Sequence, residues 1–301
     1  MRHVLAERGF ATIATGKDRY YELALNLLRS YRFHTNKPYP FAILCDRTNE
    51  KTSEFDDIIL IEDATHSYND KLLLFDYLPY QETIFVDADS LAYGDLNEWF
   101  DMFKDQGPFS CFGYAYKDLS TKKGWFSLPG MGEYTNEISF IPSFNGGVYY
   151  LRNTEICKKV FQIAKQCVKD YHCYSFSGFK EPADEPVLAL GMAVCGCEPL
   201  DKAEIAFAPR PKSIQLDIVS GIARSIEKNC SFRLIHWSNY RTLKSDYQFE
   251  VRKLKATYDN KCRSLLYRLL YERHLAYSFL WIYDLYALFF RLIRKIRKSI
   301  P

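Results

Sequence analysis

The sequence predicts an α/β domain with a mostly parallel central sheet over residues 1–260, followed by a helical, basic and aromatic tail over 261–301. Three observations lead there. Short apolar runs of strand length alternate with segments of helical spacing from residue 10 onward. The 301 residues are 48% apolar and 16% aromatic, which suffices for a large core and excludes a disordered or fibrous chain. The charge is unevenly divided: residues 262–301 carry eight basic and two acidic side chains, so a mildly acidic body ends in a cationic appendix. The net charge of +3 for the whole chain argues against nucleic-acid binding driven by bulk charge.

The elements follow in order. Residues 10–15 (Phe-Ala-Thr-Ile-Ala-Thr) read as a buried strand broken by Gly16, and Asp18 as the N-cap of a helix to about Tyr31. Strands are expected at 40–45 and 57–61, a short helical run at 71–77, and an apolar strand at 83–86 that ends in Asp87-Ala88-Asp89. Residues 105–145, rich in Gly, Ser, Pro and aromatics, read as a long loop that covers a site or forms an irregular insertion. A strand at 147–151 and a helix at 154–170 follow. The next helix spans 184–192, started by Pro182 and Asp184, and short strands are expected at 203–207 and 232–235. Right-handed crossovers between parallel strands would bring the strand-end loops to one edge, where ligands of open α/β sheets bind.

Nine cysteines cannot all pair within the chain, and Met1–Gly9 contains Arg2, Glu7 and Arg8 with no apolar run. A reducing, cytoplasmic setting is expected, with the thiols as small core residues. Cys195-Gly-Cys197, with Cys167, His172 and Cys173, lacks the two-residue spacer of a zinc site, so no metal is expected there.

Asp87-Ala88-Asp89 is the one Asp-X-Asp in the chain. Alternation points both carboxylates to one side of a rigid strand end. They would repel unless a cation lay between them, which suits a hard divalent ion such as Mn²⁺ or Mg²⁺. Alone, such a pair is more often a solvated turn. Likewise Lys71 alone reads as a solvated charge, Asn145-Gly146-Gly147 as a turn, Asp184 as a helix cap and His236 as a half-buried core histidine.

Their order changes the reading. Residues 10–15, Lys71-Leu72-Leu73-Leu74, Ile84-Phe85-Val86-Asp87-Ala88-Asp89, Ser143-Phe144-Asn145-Gly146-Gly147, Ala183-Asp184-Glu185-Pro186 and Leu234-Ile235-His236-Trp237 together resemble glycosyltransferase family 8, over roughly residues 8–240. The resemblance implies a GT-A nucleotide-sugar-binding fold and retaining transfer of a hexose from a UDP-sugar to an acceptor hydroxyl. It implies uridine contacts at Ile13, Ala14 and Thr15, and base stacking on Tyr20, with Tyr21 next in line. Donor contacts are implied at Lys71, Ala88, Asn145 and Gly146, and metal ligation by Asp87, Asp89 and His236. Asp184 and Glu185 are implied near the reacting carbon, with Arg241 or Lys244 as the cation on the diphosphate. Two departures stand out: the family's usual Asp-Gln is Asp184-Glu185 here, and its Gly and Lys after the histidine are replaced by the run Trp237–Lys244. Glu185 could attack the anomeric carbon, or Asp184 could orient the donor hydroxyls; both routes stay open.

A non-catalytic sugar-nucleotide binder on the same fold is the alternative, opposed by the complete Asp87/Asp89/His236 set. A nucleotidyltransferase or phosphohydrolase would be expected to show a Gly-rich phosphate loop or more clustered aspartates. Residues 275–293 are apolar or aromatic except Ser278, Asp284 and Arg291. Asp284 in the middle disfavours crossing a membrane. The stripe Asp284, Arg291, Arg294, Lys295 and Lys298 beside Phe279, Ile282, Tyr286, Phe289 and Ile293 fits a helix lying on anionic lipid. Peripheral attachment to the inner membrane face is expected, the alternative being a helix packed on the catalytic domain or on a partner; the family resemblance implies a glycan or glycolipid acceptor such as a lipopolysaccharide or capsule precursor.

Overall fold

In the computed structural model, residues 5–128, 130–207, 213–238 and 242–258 are described. β1 (Ala6–Ala14) leads through α1 (Asp18–His34) to β2 (Phe41–Cys45), β3 (Asp57–Leu60) and β4 (Tyr80–Val86). A tight turn connects β4 to β5 (Ser90–Ala92), then come α2 (Glu98–Phe103), β6 (Phe109–Ser110), β7 (Gly113–Tyr116), β8 (Ile141–Phe144) and β9 (Val148–Arg152). α3 (Glu155–Lys169), α4 (Asp184–Cys195), β10 (Ile205–Phe207), β11 (Ile214–Asp217), β12 (Ile222–Ser225) and β13 (Leu234–His236) complete the first unit.

The main sheet has the order β3-β2-β1-β4-β9-β6. β1 pairs in parallel with β2 and with β4, and β2 pairs in parallel with β3. β9 runs antiparallel to β4 and to β6. The sheet is therefore mixed, with the parallel part at its centre, as the alternation of strands and helices requires. All five residues of β2 are buried, the continuous apolar run expected of a strand covered on both faces. α1 covers the sheet with Leu23, Ala24, Leu27, Leu28 and Tyr31, and α3 packs on α4, with Val160 closing on Gly191.

Several local expectations change. Lys17, not Asp18, occupies the N-cap of α1; Asp18 lies in the first turn and pairs with Arg47 at 2.7 Å. The run at 71–77 is instead a 3₁₀ turn, Tyr68–Leu73, capped by the Ser67 hydroxyl, which accepts from Asn69 N–H. Residues 105–145 hold β6, β7, β8 and a 3₁₀ turn at Gly132–Asn136 rather than loop alone. Two- and four-residue strands are too short to show a period, and Pro142 within β8 argues against a strand in sequence terms. Among the described residues eight cysteines are free.

The chain divides into two units at residues 242 and 243, ahead of the boundary expected near 260. The described part of the second unit includes the helix α5 (Ser245–Tyr258). The stretch expected to meet a membrane, 275–293, lies outside the described residues; none of the described helices is long and apolar enough to cross one.

Candidate active site

Strand order reverses beside β1, which has β2 on one side and β4 on the other, so the crevice at their carboxyl ends is where this topology places a ligand. Asp87, Ala88 and Asp89 form the turn that leaves β4. Asp87 N–H donates to Gly147 O at 2.9 Å, and Ser90 N–H to Asp87 O at 3.1 Å. β13 runs antiparallel to β5, opposing His236 to Ser90, and Trp237 N–H donates to Asp89 O at 3.0 Å. Residues almost 150 positions apart thus share one turn because a three-residue strand pairs with another.

His236 Nε2 lies 2.9 Å from Asp89 Oδ1 and 3.5 Å from Asp87 Oδ2. Its Nδ1 meets Asn145 Oδ1 at 2.5 Å. Asn145 Oδ1 also accepts from Gly147 N–H at 3.1 Å, which fixes the amide as an acceptor and places the imidazole proton on Nδ1. In the neutral ring the Nε2 lone pair is then aimed at the two aspartates. Asp89 Oδ1 is buried and, despite its closeness to Nε2, has no partner in hydrogen-bond geometry. Two carboxylates and an imidazole suit Mn²⁺ or Mg²⁺, with Asn145 as the outer partner that orients the ring. The three ligand atoms lie within 4.8 Å of one another. The residues therefore fit a divalent cation, and they form the single such cluster among the described residues.

Lys71, reaching in from the 3₁₀ turn, joins both halves of the site. Its ammonium lies 2.8 Å from Asp87 Oδ2 and 3.2 Å from Asp184 Oδ2, and donates to Gly146 O at 3.1 Å. Burial alone would lower its pKa, but Asp184 and Asp87 outweigh burial and hold it above the ordinary lysine value. Burial acts upward on Asp87, and the Lys71 and His236 charges bring it below the usual carboxylate range. His236 is raised: burial opposes its charge, but Asp89 and Asp87 prevail.

Asp184 opens α4 but is no cap. Its Oδ2 accepts from the buried Tyr149 hydroxyl at 2.9 Å as well as meeting Lys71. Glu185 Oε1 accepts from Gly146 N–H at 2.6 Å and from Asn145 Nδ2 at 3.4 Å. Burial, with the neighbouring Asp184 charge, pushes Glu185 up to about 7. The two glycines are needed for close approach: a Cβ on Gly146 would sit 2.6 Å from Tyr149 Oη and 2.8 Å from Glu185 Cγ, and one on Gly147 2.5 Å from His236 Nδ1.

Ile13, Thr15, Tyr20, Lys71, Asp87, Ala88 and Asp89 line one cavity of about 350 Å³. Ala14 is absent from that lining, because alternation turns its side chain into the core. Tyr21 is excluded as a stacking residue: it is fully buried, its hydroxyl is bonded to Asp46, and Arg47 covers its ring at 4.6 Å. Asn145, Gly146, Asp184, Glu185 and His236 adjoin the cavity through Lys71 and the two aspartates. Arg241 lies outside the described residues, and Lys244 belongs to the second unit. The sequence reading missed His66, Ser67, Tyr68 and Asp70 in the cavity wall and Tyr149 behind Asp184. Asp70 beside Lys71 was the available signal for the first group; a tyrosine inside an apolar strand gives none.

This fold is that of GT-A glycosyltransferases, a mixed α/β unit with a mostly parallel central sheet. The solved structures it resembles include the galactosyltransferase LgtC in complex with donor and acceptor sugar analogs, at 12% identity and TM-score 0.52 over 86% of this chain and 99% of that one. An active-site Gln→Glu variant of LgtC matches at 14% identity and TM-score 0.50, over 83% and 95%. The glycosyltransferase GlyE of Streptococcus pneumoniae TIGR4 aligns at 16% identity and TM-score 0.41 over 65% of this chain, which spans 45% of GlyE. No protein family and no curated protein matches the chain by sequence.

Proposed function

We propose that the chain is a metal-dependent retaining glycosyltransferase that moves a sugar from a UDP-sugar to a hydroxyl of a saccharide or lipid-linked glycan. One observation carries the reading: Lys71, Asp87, Asp89, Asp184, Glu185 and His236 converge beside a single cavity at the reversal point of the sheet. A divalent cation at Asp87, Asp89 and His236 would supply positive charge against the β-phosphate of the departing nucleotide.

The protein's own groups do the rest. Lys71 remains an ammonium and adds fixed positive charge at the same end of the cavity. Asn145 holds the His236 ring in one tautomer. Tyr149 and Lys71 hold Asp184 Oδ2, so that carboxylate is a positioned acceptor for donor hydroxyls. Glu185 is held through Oε1 alone, which leaves Oε2 for the reacting carbon or for orientation of the donor. Retention of configuration follows either covalent attack by Glu185 or a front-face route, and the Gln variant considered below distinguishes them. Attachment of residues 261–301 to an anionic membrane surface, with a lipid-linked acceptor there, belongs to the same proposal and is supported by sequence pattern alone.

The test is incubation with a panel of UDP-sugars and Mn²⁺, measuring UDP release with and without saccharide and glycolipid acceptors. Acceptor-stimulated release with at least one donor is expected. Nucleotide binding without release under every condition would make the chain a binder instead.

A further inference from the structure

The 3₁₀ turn Tyr68–Leu73 supplies two adjacent side chains to the cavity wall, each with its own partners. Lys71 goes to the aspartates. Asp70, 2% exposed, goes to Thr15, whose hydroxyl donates to Asp70 Oδ2 at 2.7 Å. Three further donors converge on this carboxylate: Thr65 N–H at 2.6 Å and the Thr65 hydroxyl at 2.7 Å on Oδ1, and His66 N–H at 3.1 Å on Oδ2. His66 adopts φ 57°, a left-handed conformation costly for a residue with a side chain, while its N–H makes this bond. Four donors occupy both oxygens, so Asp70 is an acceptor only.

The consequence falls on Thr15. A free hydroxyl rotates to donate or accept as its partner requires. The Thr15 proton is committed to Asp70, so the hydroxyl offers the cavity lone pairs and nothing else. The wall also carries Ile13, Tyr20 and Tyr68, with His66 and Ser67, and its charged groups are Lys71, Asp87, Asp89 and Asp70, the last already taken up by its four donors. A nucleoside diphosphate with its phosphates against Lys71 would leave its flat base for Tyr20, Tyr68 and Thr15.

We infer that Asp70 is a positioning residue that locks Thr15 as an obligate hydrogen-bond acceptor, so that the cavity selects a pyrimidine with an imide N–H, uracil, over cytosine. Uracil presents N3–H to the locked oxygen. Cytosine presents a bare N3 lone pair at the same point, and the fixed hydroxyl cannot turn to meet it. The inference rests on the nucleotide-sugar reading above and adds to it a residue and a physical cause for base choice.

The experiment is calorimetric titration of the full chain with UDP and with CDP in the presence of Mn²⁺, for wild type, Thr15→Val, Thr15→Ser and Asp70→Asn. Wild type binds UDP more tightly than CDP, on the order of tenfold for one satisfied against one opposed polar contact. Thr15→Val brings the ratio near one by weakening UDP, and Thr15→Ser keeps the preference. Asp70→Asn frees the hydroxyl and improves CDP relative to UDP; if that variant does not fold, the Val and Ser pair decides. Equal binding of UDP and CDP by wild type overturns the inference. So does an equal loss of both nucleotides in Thr15→Val, which would place the hydroxyl on ribose or phosphate. Failure of wild type to bind either nucleotide overturns the nucleotide-sugar reading itself, and the inference with it.

Discussion

Glu185→Gln separates the electrostatics of the site from its chemistry. The Gln side chain keeps a carbonyl oxygen for Gly146 N–H, which the carboxylate now accepts at 2.6 Å, and removes the charge. Burial and Asp184 raise the Glu185 carboxyl from its ordinary 4.5 to about 7. The native state therefore binds a proton more readily than the unfolded chain between those values. The stability tied to this proton is fully present below about 4.5 and is lost as pH rises through about 7. Each pH unit between the two values is worth about 1.4 kcal/mol, so the ionised group costs on the order of 3 kcal/mol, an upper bound because Glu185 is only partly shielded from water. The assay is thermal unfolding from pH 4.5 to 8.5 in chelating buffer. Wild type should lose stability across the window relative to Glu185→Gln, and the variant should be the more stable of the two at pH 8, by on the order of 5 °C. Parallel curves for the two proteins would refute the buried-carboxylate argument. In turnover, a Gln variant that still transfers sugar excludes covalent attack through this residue; one that folds and is dead supports it.

The close approach of Gly147 to His236 means that Gly147→Ala should fold yet lose transfer by about 100-fold, because the added carbon displaces the imidazole from the aspartates; circular dichroism and UDP release check both halves. Tyr149→Phe removes the hydroxyl that donates to Asp184 Oδ2 beside Lys71 and should slow turnover by about tenfold without changing Mn²⁺ affinity, as measured by steady-state kinetics against a metal titration. Full-length protein should sediment with anionic vesicles at low salt and be released as salt rises from about 0.01 M to 0.15 M, over which the Debye length shrinks from about 30 Å to about 8 Å. Indifference to vesicles at low salt would leave the 261–301 tail a structural element.

The parallel centre of the sheet was legible because β1, β2 and β4 are apolar runs long enough to stand out, and each ends at a recognisable break such as Gly16 or Asp87. The Asp87, Asp89 and His236 cluster was legible through the order of motifs. Its physical cause was not: His236 arrives by the pairing of two three-residue strands, β5 and β13, and nothing local to residue 236 encodes that partner. The wall formed by His66 to Asp70 was missed because a helical reading of Lys71-Leu72-Leu73-Leu74 hid a 3₁₀ turn whose cap is Ser67. Asp184 read as a helix cap because a carboxylate at a helix start usually is one. Tyr149 and Lys71 claim it instead, both contacts spanning more than thirty residues of sequence.

The central claim is that Asp87, Asp89 and His236 hold a divalent cation on which sugar transfer depends. Its most direct test is UDP release from the best UDP-sugar donor by wild type and Asp89→Asn side by side, with Mn²⁺ and then with chelator. Asp89 is the choice because its buried Oδ1 faces His236 Nε2 at 2.9 Å, so the variant removes the negative charge of one cation ligand while keeping the side chain's size. Wild type should release UDP with Mn²⁺, stop with chelator and recover when Mn²⁺ is restored, while folded Asp89→Asn stays below about one hundredth of the wild-type rate throughout. Release by wild type that persists in chelator, or wild-type turnover by Asp89→Asn at saturating donor, would contradict the claim.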